Sequence, residues 1–151
     1  MAAKDDVGRR GEQIAAERLV EEGYTVLARN WRGTGGELDL VAVHGGTLVA
    51  VEVKTRSGDR FGHPAEAVTP RKLARIRRLT GQWLHEHARR SGGEPGDDSG
   101  DETGSEVGSR VGHEPAAGAG RWRFRDVRID VVAVVLPPAG PVRVEVLQGV
   151  C

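Results

Sequence analysis

The chain has 151 residues, 38% hydrophobic and 29% charged, enough to bury a core in one domain without covalent staples. Its one cysteine, Cys151, has no partner in the chain, which excludes an internal disulfide framework and a cysteine-based zinc site and fits a reducing cytoplasm. Formal net charge is +0, yet residues 91–120 hold 1 Lys/Arg against 7 Asp/Glu while residues 1–90 hold 16 against 12, so the rest of the chain has a mild basic bias suited to a polyanionic partner. Residues 1–12 are charged rather than apolar, so no signal peptide is expected there. No apolar run approaches the ~20 residues of a membrane span.

In chain order, residues 9–22 read as a helix closed by Gly23 as its C-cap. Residues 24–30 read as a short strand. Residues 37–44 and 47–55 are two strands joined at Gly45-Gly46, a two-residue hairpin signal. Pro70 suits the first turn of a second helix. Leu73, Ile76, Leu79, Trp83 and Leu84 are its apolar stripe. Arg71, Lys72, Arg75, Arg77 and Arg78 cover much of its remaining surface. Residues 91–120 are rich in Gly, Ser and acid and nearly lack large apolar groups, the composition of a disordered insertion. An acidic segment competing with nucleic acid for the basic face is the functional alternative for that stretch. Residues 126–136 form a strand that is apolar on both faces from Val131 onward, hence central. Pro137-Pro138-Ala139-Gly140 turns the chain into residues 142–147, where Arg143 and Glu145 suggest an edge strand. The expected class is α/β, a mixed sheet flanked by helices in the order α-β-β-β-α-β-β.

The hairpin carries the chemistry. A two-residue loop pairs His44 with Thr47, so Asp39 should face Glu52 and Glu37 should face Lys54, all four on one sheet face. Val41, Val43, Leu48 and Ala50 share that face, and Leu38, Leu40, Val49, Val51 and Val53 form the other. Opposed Cβ atoms lie ~4.5–5.5 Å apart, and like charges placed so are destabilising. Half-burial of two carboxylates adds to that penalty. A bound Mg²⁺ would relieve it, because it takes oxygen ligands from one or two carboxylates. Lys54 offsets part of the charge without metal, so a plain ion-pair cluster on a solvated face stays open.

Glu12 shares a helix face with Ala15, Ala16 and Leu19. It is either an acid directed at the hairpin site or a first-turn glutamate favoured by the helix dipole.

The run Glu37-Leu38-Asp39 with Glu52-Val53-Lys54 resembles the D…(D/E)xK signature of the PD-(D/E)xK nuclease superfamily. Gly8, Gly11-Glu12, Gly23-Tyr24, residues 27–32, 36–41 and 51–56, and Arg128-Ile129-Asp130-Val131-Val132 together look like the bacterial YraN-like family. Archaeal Holliday-junction resolvases are more distant relatives of similar layout. The resemblance covers residues 8–90 and 125–136 and departs from the family at 91–120. It implies a restriction-endonuclease-like fold. It also implies that Asp39 and Glu52 ligate Mg²⁺ (or Mn²⁺), with Glu12 a nearby acid and Lys54 activating the attacking water. Glu37 is then a partner for Lys54 or an extra ligand. A homodimer, the state in which resolvases act, stays open because no surface in the sequence marks it.

Arg29, Trp31 and Arg32 are candidates for contacting a phosphate backbone and stacking on a base, against Trp31 as a packing residue at a strand end. Thr55 and Arg56 follow the lysine and could touch a phosphate. The basic residues of the second helix are either phosphate contacts or a solvated face. Asp130 heads the central strand and suits a structural hydrogen-bonding role better than a metal-ligand role. The histidines show no metal spacing, since His85 and His87 are two apart on a helix. Two functions follow as expectations. One is a Mg²⁺-dependent endonuclease on structured or branched nucleic acid, with DNA expected. The other is a non-catalytic nucleic-acid-binding or partner-docking protein that keeps the fold.

Overall fold

The computed structural model describes residues 2–58, 66, 68–90 and 123–150. The expected insertion at 91–120 therefore lies outside the described residues. The elements are α1 (Ala2–Glu21), β1 (Thr25–Gly33), β2 (Gly36–His44), β3 (Thr47–Arg56), α2 (Pro70–Arg90), β4 (Asp126–Val135) and β5 (Arg143–Leu147). That is the order α-β-β-β-α-β-β expected from sequence.

Helix α1 starts earlier than its apolar face, because solvated residues continue it. Asp6 and Arg9 pair across one turn of the exposed extension. Its end is a Schellman motif: Tyr24 N–H donates to the Leu19 carbonyl at 2.9 Å and Gly23 N–H to the Val20 carbonyl at 3.1 Å. Gly23, at φ 88°, supplies the left-handed residue this needs. Leu19 and Tyr24 then pack in the same cluster.

The strands lie side by side in chain order, β1 to β5. The β3–β4 pair is parallel, and the other three are antiparallel. Strand β4 is an inner strand, between β3 and β5, and its Val131–Val134 are all buried, as the two-faced apolar pattern predicts, although the middle position belongs to β3. Strand β5 is an edge.

Each sheet face has its own core. On one, Ala15, Ala16 and Leu19 of α1 meet Leu40, Ala42, Val51 and Val132. On the other, Ile76, Leu79 and Trp83 of α2 meet Leu38, Val41, Leu48 and Ala50. Helix α2 begins as its first residues dictate: Thr69 caps it, its hydroxyl accepting from Lys72 N–H at 3.2 Å, and Pro70 opens the first turn. Among the described residues no helix is long and apolar enough to cross a membrane.

One sequence expectation fails here. Leu38 does not share the Leu40 face: Leu38 packs against α2 and Leu40 against α1. The alternation breaks at Asp39. On the β1 side, Arg29 pairs with Leu40 and Trp31 with Leu38, skipping Asn30, which sits at φ 47°. On the β3 side the register runs from His44/Thr47 to Leu40/Val51 and stops. A period-two pattern carries no signal for such a twist.

Candidate metal and phosphate site

The hairpin turn is as the sequence requires. Gly45 and Gly46 have φ 57° and 81°, which a two-residue primed turn demands. That fixes Leu48, Ala50 and Glu52 on the α2 side of β3. Asp39 sits where the ladder ends, and its Oδ2 accepts the Val53 backbone N–H at 2.8 Å. The expected face-to-face pairing of Asp39 with Glu52 is thus replaced by a side chain reaching across to the next residue of β3. The two carboxylates still act on each other.

Glu52 is 8% exposed. Its Oε1 lies 3.3 Å from Lys54 Nζ and forms a closer ion pair with Lys72 Nζ, from the first turn of α2. Burial pushes the Asp39 carboxyl pKa up to about 6, helped by the Glu52 charge and, less, by Glu12. The Val53 hydrogen bond and Lys72 oppose that rise. Burial also pulls the Lys72 ammonium below the ordinary lysine value, only partly offset by Glu52. Burial acts the same way on Lys54, but Lys72 and Glu52 outweigh it and its pKa stands above the ordinary value.

Glu12 is half-buried on α1 and close enough for its charge to reach Asp39. Its neighbour Gly11 lets the helix approach: a Cβ there would stand 1.8 Å from Thr55 Oγ1. Thr55 therefore packs on α1 beside Gly11.

Glu37 is a correction. It does not stand across from Lys54, because the β2–β3 register has already ended. It forms an ion pair with Arg32, at 3.7 Å, its partner on β1. The other candidate contact residues have partners of their own. Arg29 donates to Gln13 Oε1 of α1 at 2.7 Å. Trp31 packs partly buried against the α2-side core, as a strand-end packing residue would. Arg32 is exposed beside Glu37. Arg56 is half-buried, and its carbonyl accepts Leu136 N–H at 2.7 Å.

Lys72 joins the site without having been expected there, though the sequence holds a signal for it. It stands four, seven and eleven residues before Ile76, Leu79 and Trp83, the same inward spacing that singles out Glu12. A lysine at the head of a buried stripe needs an anion.

Asp130 has the structural role expected. Fully buried, it accepts from Tyr24 Oη at 2.9 Å, Arg128 Nε at 2.8 Å and Nη2 at 2.9 Å, and Gly149 N at 3.0 Å. Burial, then Asp130, raises the Tyr24 pKa. His44 stacks on Tyr24 and His87 on Trp83. Among the described residues no three His, Cys, Asp or Glu side chains converge as a ready-made metal cage.

The donor chemistry nevertheless fits a hard divalent cation. Val53 engages Oδ2 of Asp39 and the two ammonium groups engage Oε1 of Glu52. Each carboxylate keeps its second oxygen outside those contacts, and Mg²⁺ needs no more than two such ligands from a protein.

Residues 11–134 match the family model described as "Uncharacterised protein family UPF0102". A UPF0102 protein of Clavibacter michiganensis is 42% identical over 151 residues, 100% of both chains. One from Beutenbergia cavernae is 47% identical over 150 residues, 99% of each chain. A third, from Frankia alni, is 46% identical over 149 residues, 99% of this chain and 97% of its own.

Proposed function

The chain belongs to the uncharacterised protein family UPF0102, and we propose that it is a metal-dependent endonuclease that hydrolyses phosphodiester bonds in structured or branched nucleic acid. The observation that carries this is the meeting of Asp39 and Glu52, two half-buried or buried carboxylates from adjacent strands, with Lys54 and Lys72 on Glu52. The element order and the D…ExK spacing support a place in the PD-(D/E)xK superfamily, near the YraN-like and resolvase-like members.

In this reading Asp39 and Glu52 hold Mg²⁺ or Mn²⁺, which supplies charge neutralisation and a more acidic water when bound. Val53 N–H fixes the Asp39 rotamer. Lys54, 3.3 Å from Glu52 Oε1, would orient the attacking water and stabilise charge on a phosphate oxygen. Lys72 offers a second ammonium to that phosphate. Glu12 adds negative charge beside Asp39 and so favours a cation there. DNA in the cytoplasm is the expected substrate.

The test incubates the protein with branched, flapped and single-stranded DNA in Mg²⁺ or Mn²⁺. Cleavage that disappears in Asp39→Ala and Glu52→Ala is the expected result. No cleavage of any substrate, or cleavage that survives both variants, would sink the reading.

One observation favours a second reading, a binding protein that retains the fold without catalysis. Lys54 and Lys72 already compensate Glu52 without metal. Salt-dependent nucleic-acid binding with no Mn²⁺ binding by calorimetry would favour it. Mn²⁺ binding that vanishes in Glu52→Ala would remove its main support.

A further inference from the structure

The outer side of α2 has a charge pattern that the carboxylate site does not explain. The helix carries Arg71, Lys72, Arg75, Arg77 and Arg78 in its first half and a single acid, Glu86. Arg71, Arg75 and Arg78 are four and three residues apart, so they form one stripe. With Thr69, Lys72 and Ala74 they line an open groove of about 720 Å³. Arg75 also lines a second groove, beside Arg32, Gly33, Gly36 and Glu37. The two grooves therefore run on from one another across Arg75.

The β1–β2 turn is trimmed to fit beside this stripe. A Cβ on Gly35 would stand 2.9 Å from Arg78 Nη2, and one on Gly36 would stand 3.4 Å from Arg75 Cδ. Like charges four apart on a helix repel. No carboxylate pairs with Arg71, Arg75 or Arg78 among the described residues. Lys72 lies at the inner end of the groove with its ammonium on Glu52. A row of arginines with no ion-pair partner among the described residues, leading to two carboxylates, is matched by a ligand with regularly repeating anions.

We propose that this groove is the track for the backbone of one nucleic-acid strand, with Arg71, Arg75 and Arg78 each taking a phosphate and Lys72 the phosphate next to the carboxylates. The stripe spans roughly 10 Å at about 1.5 Å per residue. That is the axial length of about three phosphates of one strand. Guanidinium groups suit it, because they grip phosphate oxygens in pairs. Such contacts set position and carry no base sequence. What happens at the end of the track rests on the nuclease reading, but binding along it does not.

Fluorescence anisotropy of the full chain with labelled single-stranded and duplex DNA in EDTA, across a salt series, tests the track apart from cleavage. The triple variant Arg71→Ala/Arg75→Ala/Arg78→Ala should bind at least tenfold more weakly. Its log affinity–log salt slope should flatten by about two, since each phosphate left unneutralised on a single strand removes about 0.7. Circular dichroism should show it folded, since all three side chains are exposed. Arg10→Ala, exposed on α1, should bind as the wild type does. Asp39→Asn should still bind in EDTA, and the triple variant should still bind Mn²⁺. An unchanged affinity and slope in the triple variant overturns the track. So does equal binding of polyglutamate, which would mark a general acidic-protein site. Strong binding without cleavage defeats the nuclease reading and leaves the track standing.

Discussion

The Asp39 carboxylate on β2 accepts the backbone N–H of Val53 on β3 at 2.8 Å. It closes the hairpin where the backbone ladder has stopped, and it holds Asp39 next to Glu52. One hydrogen bond is too little to keep this carboxyl in the usual carboxylate range. Burial and the Glu52 charge win, and the pKa stands at about 6.

Asp39→Asn should therefore stabilise the metal-free protein at neutral pH. The folded carboxyl holds its proton up to about pH 6, whereas an unfolded aspartate releases it near ~3.9. The stability from this group is full below about pH 4 and is lost as pH rises through about 6. Asparagine keeps an oxygen for Val53 and removes the charge. Urea unfolding in EDTA should show a gain of about 1–3 kcal/mol at pH 8, shrinking to none near pH 4. An asparagine variant less stable than wild type at pH 8 would contradict the assignment. With Mn²⁺ the order should reverse, because only the wild type would gain binding energy.

Lys72→Met should leave Glu52 buried with Lys54 alone. Breaking one arm of a buried ion pair costs about 1–3 kcal/mol here, less than the full penalty because a second ammonium remains. Glu52→Gln made together with Lys72→Met should restore much of the loss in a double-mutant cycle. Additive losses would show that the pair contributes nothing. The Asp39 carboxyl, which Lys72 now holds down, should titrate higher still in Lys72→Met by NMR.

Gly11→Ala sets two effects against each other. Alanine favours a helix interior by about 1 kcal/mol over glycine. The new Cβ would meet Thr55 Oγ1 at 1.8 Å and its Cβ at 2.7 Å, which the strand cannot absorb without moving. Overpacking should win, with a net loss of about 1–2 kcal/mol and a lower melting temperature. Thr55→Gly in the same chain should recover part of it. A melting temperature raised by Gly11→Ala alone would refute the close approach.

Asp130→Ala should be the most damaging of these substitutions. It strands the Arg128 guanidinium and removes the acceptor for Tyr24 and Gly149, a loss of about 3–5 kcal/mol. Tyr24→Phe removes one hydroxyl bridging Asp130 and Gln148 and should cost about 1–2 kcal/mol. Chemical denaturation separates the two. Tyr24→Phe should leave Mn²⁺ affinity untouched, since the hydrogen bonds of this hydroxyl run to Asp130, Arg128 and Gln148 and not to Asp39 or Glu52.

Much of this fold is legible in residues alone. Gly45-Gly46 sets the turn, Gly23 ends α1, and the run from Val131 marks β4 as an inner strand. The apolar stripe of α2 and the acids Asp39 and Glu52 are legible for the same reason: periodicity and turn chemistry are local. The remainder is set by neighbours. The twist at Asp39 depends on Asn30 across the β1 ladder and on a side chain replacing a backbone acceptor. It moves Leu38 to the other face and takes Glu37 away from Lys54. Lys72 is about twenty residues from Glu52 in sequence, and only the packing of α2 brings them together. Strand β1 continues to Gly33 because it pairs with β2 as far as Gly36, which its own short apolar run does not announce.

The two buried or half-buried aspartates of the sheet differ in how much of their lone-pair capacity is engaged. A carboxylate offers about four acceptor positions. Asp130 uses four, on Tyr24, on Arg128 twice and on Gly149, and is saturated. Asp39 has one donor, Val53, among the described residues. Among the described residues, a cation would therefore meet a filled acceptor set on β4 and an open one on β2. Depth of burial alone would choose Asp130, and valence chooses Asp39.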